Sequence, residues 1–244
     1  MTQFKALLLA GGMLAVAGTT AVQAAPQLSY ELLINGAVVV ANSSPGAQSN
    51  TGVLSVSTPP NAIAGFSTLN FNSTGVPTVA SPQLNTSGQF STNSSFTGTV
   101  ANPTTVQLFV FQTGLTQPIG TPTFFTTLDL NNLNGGVSSF SQSFVDPTNG
   151  TSLTANNGDV LIGMDQGQAG QNITNGASGQ STVVPVANGP FSETQVFYAS
   201  FTGVNQSLTF GDQIGSIVPE PASLALVGTA LFGLGLIRRR RNRS

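Results

Sequence analysis

Seven carboxylates are the only charged side chains between residues 25 and 217. They are Glu31, Asp129, Asp146, Asp159, Asp165, Glu193 and Asp212. The whole chain lacks histidine and cysteine, and its six lysine and arginine residues all lie outside this range. Serine and threonine are abundant, but the common nucleophilic dyads and triads need histidine, lysine or cysteine beside them. These residue types favour a protein without enzymatic activity.

Acid/base catalysis would have to use a pair of carboxylates. A glycosidase needs two carboxyl groups roughly 5 to 9.5 Å apart. Asp159, Asp165 and Glu193 are the candidates, but no motif links them and turn or loop positions explain them better. A carboxylate glycosidase is therefore the least favoured of three functional hypotheses.

Metal binding is the second chemistry that the carboxylates allow. Asp159 precedes a predicted strand and Asp165 follows it, each beside asparagine, glutamine or glycine. Calcium prefers six to eight oxygen ligands of these kinds. An extended strand would hold the two aspartates about 20 Å apart, so sharing one ion would require a bulge or a partner loop. A Ca²⁺-assisted adhesion or glycan-binding module, with Asp159 and Asp165 as ligands, is the second hypothesis.

Aromatic platforms for sugar stacking are scarce in this sequence. Tryptophan is absent, and the two tyrosines are Tyr30 and Tyr198, of which we assign Tyr198 to the core. A stacking site for carbohydrate is therefore disfavoured, whereas hydrogen bonding to sugars by asparagine and glutamine in loops remains open.

The charge balance restricts the partners of the central region. Residues 25–217 carry seven acids and no bases, a formal charge of −7, whereas the whole chain has −2. No lysine or arginine in this region can pair with a carboxylate or neutralise phosphates. We therefore expect no nucleic-acid binding.

Alternating apolar and polar residues predict an all-β body. Asn35-Gly36 between residues 28–34 and 37–40 is a strong hairpin signal. Residues 104–111 are apolar on both faces, and residues 194–204 are predicted to form a central strand. Further strands are predicted at residues 53–57, 63–71, 123–130, 137–145, 159–164 and 208–210. Loops are predicted at residues 42–52, 76–95 and 167–180. The pattern favours an antiparallel sandwich or a jelly-roll-like body.

The N-terminus has the features of a secretory signal peptide. Lys5 supplies the positive charge, and residues 6–18 form an apolar stretch. Cleavage between Ala24 and Ala25 places Val22 and Ala24 at the small-residue positions of the site. We expect export by the Sec translocon and removal of residues 1–24 by signal peptidase, which leaves a body at residues 25–217.

Three ordered features occupy the C-terminus, residues 218–244. The tripeptide Pro219, Glu220 and Pro221 comes first, and the uncharged residues 222–237 follow it. A cluster of four arginines ends the segment: Arg238, Arg239, Arg240 and Arg241. As a helix, residues 222–237 would span roughly 24 Å, short of a ~30 Å hydrocarbon core. The arginines would stay on the cytoplasmic side, so a transient stop-transfer segment is predicted.

This order of features resembles the PEP-CTERM sorting signal of Gram-negative bacteria. The resemblance implies recognition by an exosortase, a membrane-embedded cysteine protease that acts near the motif. It implies a transmembrane C-terminal helix before processing, and then transfer of the body to the cell surface or an exopolysaccharide matrix. Glu220 would be a processing determinant. A plain C-terminal membrane anchor is the alternative. The favoured hypothesis is an exported, exosortase-processed structural protein without enzymatic activity.

Overall fold

The computed structural model describes residues 27–41, 52–59, 61–76, 82–133, 136–151, 159–167, 180–186 and 189–217. Twelve β-strands account for the regular structure in these ranges. In chain order they are β1 (Gln27–Ile34), β2 (Ala37–Ala41), β3 (Val53–Ser57), β4 (Phe66–Val76), β5 (Gln83–Thr92), β6 (Thr104–Leu115), β7 (Thr123–Leu133), β8 (Ser138–Asp146), β9 (Val160–Gly167), β10 (Gln180–Val183), β11 (Phe191–Phe201) and β12 (Ser207–Ile217). The predicted signal helix and C-terminal helix lie outside the described residues.

The strands form two antiparallel sheets of six strands each. The first sheet has the order β2-β1-β6-β11-β8-β9, and the second has the order β10-β7-β12-β5-β4-β3. The two sheets enclose one cluster of buried apolar side chains. The prediction of an all-β, antiparallel, two-sheet body is therefore confirmed. Among the described residues, none forms a helix that is long and apolar enough to cross a membrane.

Aromatic side chains from the two sheets interlock in this core. The rings of Phe197 on β11 and Phe210 on β12 have centroids 4.3 Å apart, and both side chains are buried. At one end Phe124 on β7 meets Phe191 on β11 edge to face, with centroids at 5.7 Å. Such pairs add to the stabilisation that burial of apolar area provides. Because the described part of the chain contains no cysteine, this packing and the strand hydrogen bonds hold the sheets together there.

The predicted hairpin and the two long predicted strands are confirmed. Asn35 and Gly36 have φ values of 50° and 76°, the left-handed conformation of a two-residue turn between β1 and β2. The side-chain oxygen of Asn35 also accepts a hydrogen bond from the backbone N–H of Thr105 at 2.9 Å. β11 lies centrally between β6 and β8, as its apolar faces predict.

The prediction of a loop over residues 76–95 is wrong. This stretch contains β5, which lies inside the second sheet between β4 and β12. Inward and outward residues alternate along β5, but the inward positions include the small or polar residues Thr86 and Gly88. The strand was not predicted because the stretch has few large apolar residues. Thr86 is buried because its hydroxyl pairs with that of Ser73 at 2.9 Å.

Candidate functional site

The outer face of the second sheet carries two parallel rows of polar residues. The strand register aligns the first row across β4, β5, β12 and β7 as Asn72, Ser87, Gly211 and Asp129. The second row lies two residues along these strands and consists of Thr74, Asn85, Gln213 and Thr127. These residues line an open groove of about 410 Å³, which we call the polar groove.

Gly211 forms the centre of this groove, and the fold does not require glycine there. Its φ is not in the left-handed region, and an added Cβ would meet only the Cβ of Asp129, at 4.0 Å. Gly88 and Gly215 differ, because a Cβ at Gly88 would lie 2.5 Å from the Phe210 ring and one at Gly215 equally close to the Phe125 ring. Glycine inside a strand weakens it and often marks the close approach of a ligand or another backbone. Gly211 therefore opens the groove rather than relieving a clash.

The side chains of the groove are available for binding. Within the described part of the chain, the side chains of Asn72, Asn85, Asp129 and Gln213 make no hydrogen bond to another residue. In contrast, Ser91 and Ser207 bond each other at 2.8 Å on the same face. Two acids line the groove, Asp129 and Asp212, but the Asp212 carboxylate is engaged by Thr126 and Ser143 in the interior, which leaves that of Asp129 as the acceptor for a ligand. The groove thus presents amide and hydroxyl groups, which both donate and accept, and one anionic acceptor.

The outer face of the first sheet has a different chemistry. Tyr198 on β11 stacks on Phe140 of β8 with ring centroids 4.7 Å apart and planes 13° apart. Both rings are half-buried on this outer face, whereas the inward neighbours Phe197 and Ala199 are fully buried. The assignment of Tyr198 to the core is therefore wrong. Odd positions of β11 face the interior, and Tyr198, at an even position, faces outward.

A second cluster of polar residues lies between the sheets. Asp212 on β12 accepts hydrogen bonds from Thr126 at 2.8 Å and from Ser143 at 2.6 Å, and the two hydroxyl oxygens are 2.8 Å apart. Asp212 is 5% exposed. Burial raises the pKa of Asp212 to about 7, although the hydrogen bonds from Ser143, Thr126 and the Gln213 backbone act in the opposite direction. The cluster ties β8 of the first sheet to β7 and β12 of the second.

Glu193, one of the three carboxylates considered for acid/base chemistry, lies in the interior. It is fully buried on β11, beside Gln112 on β6 and Val145 on β8 in the register of the sheet. Within the described residues neither of its carboxyl oxygens has a hydrogen-bond partner. Burial raises the pKa of Glu193 to about 8. In this structure the carboxyl group has no access to a polymeric substrate.

The two predicted calcium ligands lie before and within strand β9. Asp159 immediately precedes the strand, and Asp165 lies within it, opposite Ser141. Asp159 has a carboxylate neighbour that sequence reasoning missed, namely Asp146 at the end of β8. Burial and the charge of Asp146 both raise the pKa of Asp159. Asp146 and Asp159 are 13 positions apart in the sequence, and only the antiparallel pairing of β8 with β9 places them side by side.

The Asp146 carboxylate organises its own loop. One oxygen accepts hydrogen bonds from the backbone and hydroxyl of Thr148, at 2.7 and 2.6 Å, and the other from the Gly150 N–H at 2.6 Å. Among the described residues no group of three or more histidine, cysteine, aspartate or glutamate side chains is arranged to hold a metal. A cation between Asp146 and Asp159 would need further oxygen ligands from backbone or amide groups.

The remaining predicted site residues lie outside the described residues. They are the cleavage residues Ala24 and Ala25, the tripeptide Pro219, Glu220 and Pro221, and the cluster Arg238, Arg239, Arg240 and Arg241. Residues 218–241 match the family described as the PEP-CTERM protein-sorting motif. The chain therefore carries this motif at its C-terminus, as its residues indicated. The match does not include the body, and a comparison with curated protein sequences gave no match.

Solved structures resemble the body only distantly. One is TmCBM61 in complex with β-1,4-galactotriose, with 10% identity over 78% of this chain and 88% of that chain and a TM-score of 0.24. Two others are cleaved adhesin domains of Lys-gingipain from Porphyromonas gingivalis. The K1 domain has 11% identity, covers 78% of this chain and 91% of that chain, and has a TM-score of 0.28. The K3 domain has 10% identity, covers 55% of this chain and 73% of that chain, and has a TM-score of 0.24. At these TM-scores no function is transferred.

Proposed function

We propose, from the premise that residues 218–241 are a PEP-CTERM protein-sorting motif, that this chain is the precursor of a structural protein of the cell surface or exopolysaccharide matrix. The motif implies an exported protein that is held by its C-terminus in the membrane and processed by an exosortase. Sec translocon and signal peptidase act on residues 1–24 before that step. The motif match is the observation that carries the proposal.

The chemistry of the body supports a role without catalysis. Its polar surface is rich in amides and hydroxyls, and the chain has no histidine or cysteine. The two carboxyl groups with the most strongly raised pKa values, those of Glu193 and Asp212, are buried between the sheets, where Thr126 and Ser143 donate to Asp212. Buried, unreachable carboxyls suit a packed scaffold better than an acid/base site.

Deletion of residues 218–244 tests the sorting proposal. The full-length protein and the truncated variant are expressed in the native host, and membrane, surface, matrix and medium fractions are compared by immunoblotting. We expect the truncated protein to leave the surface and matrix fractions. A matched variant, Glu220→Ala, should block processing and retain the precursor in the membrane. Unchanged surface accumulation of both variants would contradict the proposal.

A Ca²⁺-assisted adhesion module is the second candidate, and the carboxylate pair Asp146 and Asp159 favours it. Burial and the charge of Asp146 raise the pKa of Asp159, and a cation bound between these two carboxylates would offset the second effect. A ligand of the native state raises the melting temperature. We expect millimolar Ca²⁺ to raise the Tm of the wild type but not that of Asp159→Asn. Equal Tm values with Ca²⁺ and with a chelator would eliminate this candidate.

A further inference from the structure

We propose that the polar groove on the outer face of the second sheet is a binding site for an uncharged polysaccharide chain. The inference rests on the proposed function only for the source of the glycan, the exopolysaccharide around the cell.

The polar groove has the dimensions of a site for an extended chain. The groove crosses four neighbouring strands, which lie about 4.8 Å apart, so it extends roughly 14 Å between its outer strands. Its volume of about 410 Å³ falls within the range of ligand sites in proteins. The groove is open rather than enclosed, as a site for one stretch of a longer chain must be.

Gly211 leaves the floor of the groove free of a side chain. Any other residue at this position would place a side chain over the floor of the groove, and the backbone would accept one without strain. Glycine in a strand costs roughly 0.5–1 kcal/mol relative to alanine. A position that carries this cost with no conformational or packing reason indicates that something approaches the backbone closely.

The side chains on the groove walls have the hydrogen-bonding capacity that a sugar chain requires. Sugar hydroxyls both donate and accept, and the groove walls present groups that do the same. Asn72, Asn85 and Gln213 carry amides, each with two N–H donors and a carbonyl acceptor. Asp129 adds a charge-assisted acceptor for sugar hydroxyls. These groups lie around Gly211 on the four neighbouring strands β4, β5, β12 and β7, so one ligand lying across Gly211 can reach all of them.

Charge selects the class of glycan. Residues 25–217 contain seven acids and no lysine or arginine, and Asp129 lies in the groove wall itself. An anionic polysaccharide would meet repulsion without any compensating cation from this region. A neutral chain meets none, so the ligand is a neutral polysaccharide.

The substitution Gly211→Val tests the site because it fills the groove from a position where an added Cβ meets only the Cβ of Asp129, at 4.0 Å. Ser138→Val is the matched control: it adds the same side chain at an exposed position on the first sheet. The mature protein and both variants are purified from the native host. Affinity electrophoresis then measures their retardation by dextran and hydroxyethyl cellulose as neutral probes, by alginate as an anionic probe and by the host exopolysaccharide. Thermal denaturation reports folding.

We expect the wild type and Ser138→Val to bind at least one neutral probe and the host exopolysaccharide. Gly211→Val should bind at least tenfold more weakly with no loss of Tm. A double variant, Asn85→Ala with Gln213→Ala, should weaken binding without filling the groove.

Three results would overturn the proposal: wild-type-like binding by Gly211→Val, preference for alginate, or no binding to any glycan. It would also be overturned if binding to the host matrix survived periodate oxidation but not protease treatment, since the partner would then be a protein. These outcomes are independent of sorting, because the protein is added from outside and residues 218–244 are not altered.

Discussion

The Ser143 hydroxyl donates a hydrogen bond to the Asp212 carboxylate at 2.6 Å, which joins β8 of the first sheet to β12 of the second. This contact lies in the interior, where unpaired polar groups are costly and satisfied ones strengthen each other. Gln195 of β11 makes a comparable connection by donating to the backbone carbonyl of Leu84 at 3.0 Å. The sandwich therefore has a polar interior layer that spans both sheets, in addition to its aromatic core.

Ser143→Ala tests the contribution of this layer. Removal of the hydroxyl leaves the Asp212 carboxylate without one of its donors, at a cost of about 1–3 kcal/mol in the free energy of unfolding. Because the bond from Ser143 lowers the pKa of Asp212, we also expect that pKa to rise above about 7. Denaturant unfolding and NMR titration of the carboxyl carbon measure the two effects. The exposed Ser138→Ala on the same strand is the control, and equal effects of both variants would refute the prediction.

Glu193 makes stability depend on pH. Its pKa is raised from 4.5 in the unfolded chain to about 8 in the folded protein, so the folded state retains the proton over this interval. Its contribution to stability is complete below 4.5 and is lost as the pH rises through about 8. At 1.36 kcal/mol per pKa unit, the loss is on the order of 5 kcal/mol.

Glu193→Gln should remove this part of the pH dependence. The amide has nearly the same shape but does not ionise, so the variant should exceed the wild type in stability near pH 8 and match it near pH 4.5. Asp212 still titrates, so a smaller slope remains. Denaturant unfolding at a series of pH values measures the difference. A wild type whose stability rises over this interval would show that Glu193 is not held protonated.

Gln180 protects an edge of the first sheet. Its side-chain amide donates to the Met164 carbonyl at 2.9 Å and accepts from the Met164 N–H at 3.1 Å, as a neighbouring strand would. We expect Gln180→Ala to lower stability by about 1–2 kcal/mol and to increase self-association, because an edge strand becomes free to pair. Unfolding and light scattering measure these effects, with the exposed Gln166→Ala as the control. A monomeric variant of unchanged stability would argue against this role.

Gly211 and Gly88 should respond oppositely to the same substitution. Gly211→Ala adds a methyl group in open space and should stabilise the protein by about 0.5–1 kcal/mol. Gly88→Ala places a Cβ 2.5 Å from the Phe210 ring and 2.8 Å from the Phe71 Cβ, and should destabilise by about 1–3 kcal/mol. Thermal unfolding of the pair compares them directly. Destabilisation by Gly211→Ala would mean that the groove floor is constrained by the fold.

Local patterns in the sequence were sufficient for much of the fold. Asn35-Gly36 has the left-handed conformations of a two-residue turn, and its position sets the register of β1 and β2. β6 and β11 were recognisable because apolar residues fill both of their faces. β5 was missed because Thr86 and Gly88 occupy its inward positions between the buried residues Leu84 and Phe90, and Thr86 has its hydrogen-bond partner, Ser73, on another strand.

The sequence by itself determined the composition-level properties: a body of alternating strands without bases, and a sorting motif defined by residues adjacent in the chain. Only the tertiary structure decided the polar groove and the interior cluster around Asp212. Asn72 and Asp129, far apart in the chain, meet in one row because strand register across β5 and β12 aligns them. Long-range register depends on the joint packing of both sheets, which no local stretch of sequence encodes.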